Sequence, residues 1–173
     1  MDLQNPLYSD LIGHKLEDRI IFPATGYLVQ AWVGLMSVVG KKWIDTPIQM
    51  SNVALNRATL LHEKQVARLK NRILPGLGKF EFEHEGDIVV SGNISLLNGK
   101  APSVQDVEAA IKSESSQYLP LGMDDIYKEF RLRGYNYTGL FKGIHEIDNE
   151  GSHDGSQSDL RPPSLAEQLM KYP

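Results

Sequence analysis

The segment from Ala24 to Val39 constrains the fold more than any other part of the chain. Leu28, Val29, Trp32, Val33, Leu35, Met36 and Val39 leave it almost no polar face. A helix that is apolar nearly all round is one that folding buries. Pro23 stands just ahead, where a missing N–H costs nothing in a first helical turn. Gly40-Lys41-Lys42 closes the segment, with a glycine suited to a C-cap and two cations suited to the negative end of the helix dipole. At 173 residues and 41% hydrophobic content, the chain can build one domain around such a helix, but not two large ones.

The covering material follows in sequence. Residues 1–13 read as loop, and His14 to Phe22 as an extended approach to the helix. Ile48 to Leu61 has a β-rich texture. From Gln65 to Leu74, Ala67, Leu69 and Ile73 alternate with Arg68, Lys70 and Arg72, which suits one buried and one wet face. Phe80 and Phe82 alternate with Glu81 and Glu83, and Ile88, Val90, Ile94 and Leu96 fall on one strand face. Turns at Pro75-Gly76, Glu85-Gly86-Asp87 and Asn98-Gly99 separate these runs. The pattern predicts an α+β fold, with an antiparallel sheet laid on a long buried helix.

Beyond the strands, residues 98–121 read as a polar linker with a short helix at Val104–Ile111. Asp124 is placed to cap a helix running to about Leu132, striped by Ile126, Tyr127 and Phe130 and closed by Gly134. Tyr135 to Ile147 reads as a loop leading into a further strand. Residues 1–150 are therefore expected to form the folded unit. Residues 151–173 are expected to form a flexible tail, with a capping box at Ser164-Leu-Ala-Glu167 for a last short helix.

Composition excludes several function classes. The absence of cysteine removes disulfides, zinc–thiolate sites and cysteine nucleophiles. A net charge of -4 gives no general attraction to nucleic acid or anionic membrane. The longest apolar stretch, Tyr27 to Val39, is broken by Gln30, Gly34 and Ser37 and is shorter than the ~20 residues of a membrane span. The N-terminus lacks the basic-then-apolar order of a signal peptide. The expectation is a soluble, cytoplasmic protein.

Two blocks carry a resemblance. His14-Lys-Leu-Glu-Asp-Arg-Ile-Ile-Phe-Pro23-Ala-Thr-Gly-Tyr27-Leu resembles the opening of dehydratase domains in animal fatty acid synthases and polyketide synthases, with their His-x-x-x-Gly-x-x-x-x-Pro motif. Asp125-Ile-Tyr-Lys-Glu-Phe-Arg-Leu-Arg-Gly134-Tyr-Asn-Tyr137 is similar to a second segment of the same domains. The blocks occur in the family's order, and the likeness extends over roughly residues 10–150.

The resemblance implies a hotdog fold, a central helix wrapped by a curved antiparallel sheet. It also implies that the chain is the N-terminal half of a domain that contains two hotdogs. The implied reaction belongs to fatty acid biosynthesis: water is removed from a 3-hydroxyacyl thioester to give a trans-2-enoyl thioester. The substrate rides on the phosphopantetheine of acyl carrier protein, with no cofactor or metal bound to the chain itself. Acyl carrier protein, other synthase domains and a second hotdog half are the implied partners, with a homodimer expected by analogy with other hotdogs. The histidine that matches the family's catalytic base is His14; a near-neutral imidazole suits that role. The implied substrate-binding residues are Pro23, Ala24, Thr25, Gly26, Tyr27 and Tyr137, with the backbone N–H groups of the first helical turn open to a thioester carbonyl. Gly26 would also let a substrate approach the backbone closely.

This chain departs from the family pattern at two places. Asp18 replaces the motif glycine, which raises the question of positive φ and of a carboxylate lifting the pKa of His14. Tyr137-Thr138-Gly139-Leu140-Phe141 replaces Tyr-Gly-Pro-x-Phe, so the wall built by that loop is altered. The family's acid, an aspartate in Asp-x-x-x-Gln/His, belongs to the second half. Asp45-Thr-Pro-Ile-Gln49 and Asp10-Leu-Ile-Gly-His14 match its spacing by coincidence. The isolated chain is therefore expected to be an incomplete dehydratase. The alternative is a non-catalytic hotdog used as a scaffold or acyl-chain binder. His62, His84, His145 and His153 have no metal spacing. Arg57, Lys64, Arg68, Lys70 and Arg72 read as the wet face of a strand rather than a docking patch, and Arg131 and Arg133 as solvated cations.

Overall fold

The structure, a computed structural model, describes residues 1–97 and 120–148. The expected Val104–Ile111 helix, the Asn98-Gly99 turn and the tail with its capping box lie outside the described residues.

The helix α1 spans Ala24–Val39, the bounds read from the sequence. Pro23 is its N-cap residue, in extended conformation, and Gly40 caps the other end at φ 68°, where a side chain is disfavoured. The expectation of burial all round is not met. Tyr27, Ala31 and Leu35, one helical turn apart, are buried together with Gly26 and Met36. Leu28, Val29, Trp32 and Val33 are only half-buried, and Val38 is 58% exposed. The reason is that one sheet covers one face. The strands β3 (Ile48–Leu55), β5 (Lys70–Leu74), β6 (Lys79–His84) and β7 (Asp87–Leu96) form an antiparallel sheet in the order β3-β7-β6-β5, and α1 packs against β5 and β7.

In β6, Phe80 and Phe82 point into the core, while Glu81 and Glu83 face outward to Arg72 and Lys70 on β5. The expected single face of β7 is corrected at its start. Ile88 is 43% exposed, whereas Val89 and Val90 are both fully buried. The pairing jumps from Phe82↔Val90 to Glu83↔Ile88, so Val89 is an extra, bulged residue that resets the alternation.

A second, three-stranded sheet pairs β1 (Lys15–Leu16), β2 (Arg19–Ile21) and β4 (Leu60–Leu61) in that order. Residues 1–13 are loop-like as expected, but end in a 3-10 turn over Ser9–Gly13 that buries Leu11. The helix α2 covers Met123–Leu132 and is flanked by the paired strands β8 (Pro120–Gly122) and β9 (Glu146–Asp148). Its N-cap is Gly122, not Asp124. Asp124 and Asp125 lie instead in the first turn, where their charge favours the helix dipole.

Candidate active site

His14 lies between the Ser9–Gly13 turn and β1, and opens the β1–β2 hairpin. The ladder Leu16↔Arg19, Lys15↔Ile20 continues to His14 and Ile21, whose N–H donates to the His14 carbonyl at 3.1 Å. The His14 side chain closes the same pair from the other side, with Nδ1 2.8 Å from the Ile21 carbonyl oxygen. A carbonyl only accepts, so Nδ1 carries the proton and Nε2 keeps a lone pair. Burial lowers the pKa of His14, opposed in part by the hydrogen bond to Ile21. The ring is therefore a neutral base at pH 7.

Two aromatic rings hold the imidazole. Tyr137 stacks on it at 5.1 Å and 23°, and Phe141 leans against it at 4.9 Å and 58°. These rings come from the loop after α2, which the sequence reading left irregular. Its first part is a loop, as expected, that runs antiparallel beside β1. Glu17 N–H donates to Gly134, Asn136 N–H to Lys15 and Thr138 N–H to Gly13, with an isolated bridge at Leu16↔Tyr135. This constant antiparallel register sets Tyr137 directly opposite His14. The approach is close: a side chain at Gly13 would meet the Thr138 carbonyl. Tyr127 fastens the rest of the loop, its hydroxyl donating to the Phe141 carbonyl at 3.2 Å and accepting from Ile144 N–H at 3.0 Å. Burial raises the pKa of Tyr137, so its phenol stays protonated.

The other expected site residues divide. Ala24 and Thr25 are exposed at the start of α1, where first-turn N–H groups have no intrahelical partner. The Gly26 N–H already donates to the Pro23 carbonyl at 3.0 Å, and Pro23 itself is buried. The space beside Gly26 belongs to Phe22, whose ring would lie 2.6 Å from an added Cβ. Tyr27 is 2% exposed, and its hydroxyl donates to Thr59 Oγ1 at 2.6 Å. The structure thus places Tyr27 in the core and Tyr137 on His14. The partners of His14 that the sequence did not disclose are the Ile21 carbonyl and the Phe141 ring. The apolar end of Tyr137-Thr-Gly-Leu-Phe141 was the available signal for the second.

Asp18 adopts a left-handed conformation, at φ 63°, beside Glu17 at φ 45°. Two such residues make the tight turn that matches the twist of the hairpin. Its carboxylate is not turned on His14; Oδ1 accepts from Asn136 Nδ2 at 3.0 Å. Among the described residues, no carboxylate lies within ion-pairing distance of His14. Cavities of about 180, 480 and 440 Å³ are formed by the described residues, and none of these three is lined by His14.

Much of the surface charge is neutralised within the chain. Arg57 pairs with Asp87 at 2.5 Å, Arg72 bridges Glu81 and Glu83, Lys70 reaches Glu83, and Arg133 pairs with Glu129. No helix among the described residues is long and apolar enough to cross a membrane.

No family model matches the chain. Solved structures share its fold: the dehydratase domain from the CurF module of Curacin polyketide synthase (TM-score 0.63, 19% identity, 86% of this chain and 53% of that one). A second is the dehydratase domain of a mycocerosic acid synthase-like polyketide synthase (TM-score 0.62, 15% identity, 82% and 48%). The fold is therefore α+β and matches about half of a double-hotdog dehydratase domain of the synthase type. In sequence, the chain is 26% identical to a hybrid PKS-NRPS synthetase, mpsA, of Macrophomina phaseolina, over 93% of its own length and 4% of that protein's. It is 24% identical to the polyketide synthase component of lovastatin nonaketide synthase from Aspergillus terreus, over 88% of this chain and 6% of the relative. In sequence the chain is thus similar to a short stretch of each of these fungal synthases. It spans only a small fraction of those relatives' length. Both relatives are polyketide synthases, which corrects the emphasis on animal fatty acid synthase.

Proposed function

We propose that the chain is the base-bearing first half of a dehydratase, acting on 3-hydroxyacyl thioesters within a polyketide- or fatty-acid-synthase assembly. The observation that carries this reading is the state of His14: half-buried, proton fixed on Nδ1 by Ile21, lone pair on Nε2, and no carboxylate beside it among the described residues. Nε2 takes a proton from C2 of the acyl chain. The electron pair moves through the enolate to form the C2–C3 double bond, and the C3 hydroxyl leaves as water after taking a proton from an acid. First-turn N–H groups at Ala24 and Thr25 would steady the enolate oxygen. The acid would come from a second hotdog half, whose docking would also complete the wrap of α1. The CurK dehydratase, similar in fold, is described as inactive both in a histidine-to-phenylalanine mutant and in an aspartate-to-asparagine mutant, which supports a two-residue requirement. Acyl carrier protein would deliver the substrate on its phosphopantetheine.

The test combines the chain with a second-half hotdog carrying Asp-x-x-x-Gln/His and supplies 3-hydroxybutyryl-pantetheine. Enoyl product is expected only when both halves are present, and His14→Ala should lower its rate by about 10²–10⁴-fold. Thioester binding with no turnover in any combination would favour the scaffold reading.

A further inference from the structure

The loop that presents Tyr137 to His14 is tied to the hairpin by one side-chain bond that the family glycine could not make. Asp18 and Asn136 are 118 residues apart in sequence, yet Asn136 Nδ2 donates to Asp18 Oδ1 at 3.0 Å. Asn136 also anchors the loop, its own N–H donating to the Lys15 carbonyl, and it immediately precedes Tyr137. Asp18 holds φ 63° in the turn that joins β1 to β2, so its carboxylate is aimed by the same backbone that carries His14 four residues earlier. The two anchors on either side of Tyr137, Asn136 to Lys15 and Thr138 to Gly13, are the pairs that flank His14.

We propose that Asp18 and Asn136 are positioning residues that clamp the segment following α2 onto the His14 hairpin and so hold the Tyr137 ring against the imidazole. This rests on His14 being the reactive group, but the clamp has its own readout. Neither residue touches the imidazole, so the pair acts through Tyr137. A left-handed glycine would keep the turn without the tie. A left-handed aspartate keeps both, at a small backbone cost offset by a hydrogen bond to a charged acceptor. The groups packed on His14 are the neutral Tyr137 and Phe141 rings and the Ile21 carbonyl. Losing the Asp18 charge would by itself lower the His14 midpoint, so a rise after Asp18→Gly reports solvent access.

The experiment is NMR of the 173-residue chain, following the His14 ring protons and ring nitrogens through a pH titration. Asp18→Gly preserves the turn and removes the acceptor; Asn136→Ala removes the donor; Asp18→Asn retains an acceptor oxygen and tolerates the left-handed turn. In Asp18→Gly and Asn136→Ala, the His14 signals should lose the shift imposed by the stacked tyrosine. The titration midpoint should rise toward the ordinary ~6.5. The double variant should add nothing to either single one, and Asp18→Asn should restore the wild-type signals. Unchanged His14 shifts and midpoint in both single variants, with the chain folded, would overturn the proposal. So would additive effects in the double variant. If the signals respond as expected while no turnover appears with any second half, the clamp stands and the dehydratase reading fails. If turnover is present and the signals do not move, the reverse holds.

Discussion

Two aromatic clusters in this molecule use similar rings for opposite ends. In the core, Tyr27 meets Phe22 edge-on at 4.7 Å and Phe82 at 5.2 Å, and its hydroxyl is satisfied by Thr59. Each of those rings is almost wholly buried. Around His14, Tyr137 and Phe141 are only half-buried, and they enclose a group that can still exchange a proton. The first arrangement converts area into stability. The second withholds some of that stability and keeps the imidazole within reach of solvent. The second block of family-like sequence thus contributes, through Tyr137, to the surroundings of an imidazole carried by the first block, more than to the core.

The sharpest way to break this comparison is to truncate a ring in each cluster. Phe82→Ala should cost about 3–5 kcal/mol of unfolding free energy, the usual range for a buried phenylalanine. Phe141→Ala should cost about half of that or less, because its site is partly open and can collapse or hydrate. Urea denaturation of both variants measures this, and equal costs would erase the distinction between the clusters.

A smaller effect sharpens the core side. Thr59 is fully buried, and its Oγ1 is the acceptor for the Tyr27 hydroxyl. Thr59→Val leaves that donor without a partner and should cost about 1–3 kcal/mol. Adding Tyr27→Phe removes the stranded hydroxyl, so the double variant should be more stable than Thr59→Val alone. The same denaturation curves decide the point. A double variant less stable than the single one would mean that packing, and not the hydrogen bond, holds the pair.

The two clusters were not equally legible in the sequence. The bounds of α1 were readable because Pro23 and Gly40 punctuate a continuous apolar run, and the alternation of Phe80 and Phe82 with Glu81 and Glu83 announced a strand with one wet face. What a local pattern cannot carry is pairing. The bulge at Val89 turns on how β7 registers with β6, and so it inverted the reading of Ile88. The burial of α1 was overestimated because an all-apolar helix states what it needs covered, not how much cover this stretch of chain supplies. At the site, His14 was found through the motif around it, whereas its partner Ile21 acts through a carbonyl that any residue would offer. Tyr27 and Tyr137 looked alike as ligand-facing tyrosines. The first is the i−4 neighbour of Ala31 on the buried stripe of α1, a placement that the helical spacing already contained.

The smallest expected effect tests whether His14 is as desolvated as its neighbours imply. Burial makes its folded-state pKa lower than that of the unfolded chain, which titrates near ~6.5. Above that value both states hold a neutral ring, and the group contributes nothing to the pH dependence. As pH falls through ~6.5 the unfolded chain gains the proton first, so stability declines until the folded pKa is reached and then levels off. The wild type should therefore lose stability as pH falls from ~6.5 to the lowered folded-state pKa of His14, relative to His14→Gln, which has no such proton to bind. Taking the difference between the two proteins cancels every other group, all of which are common to both. Denaturation midpoints across that range give the slope. A difference that stays flat with pH would mean that the Tyr137 and Phe141 rings do not shield the imidazole, and the two aromatic clusters would then differ in exposure alone and not in purpose.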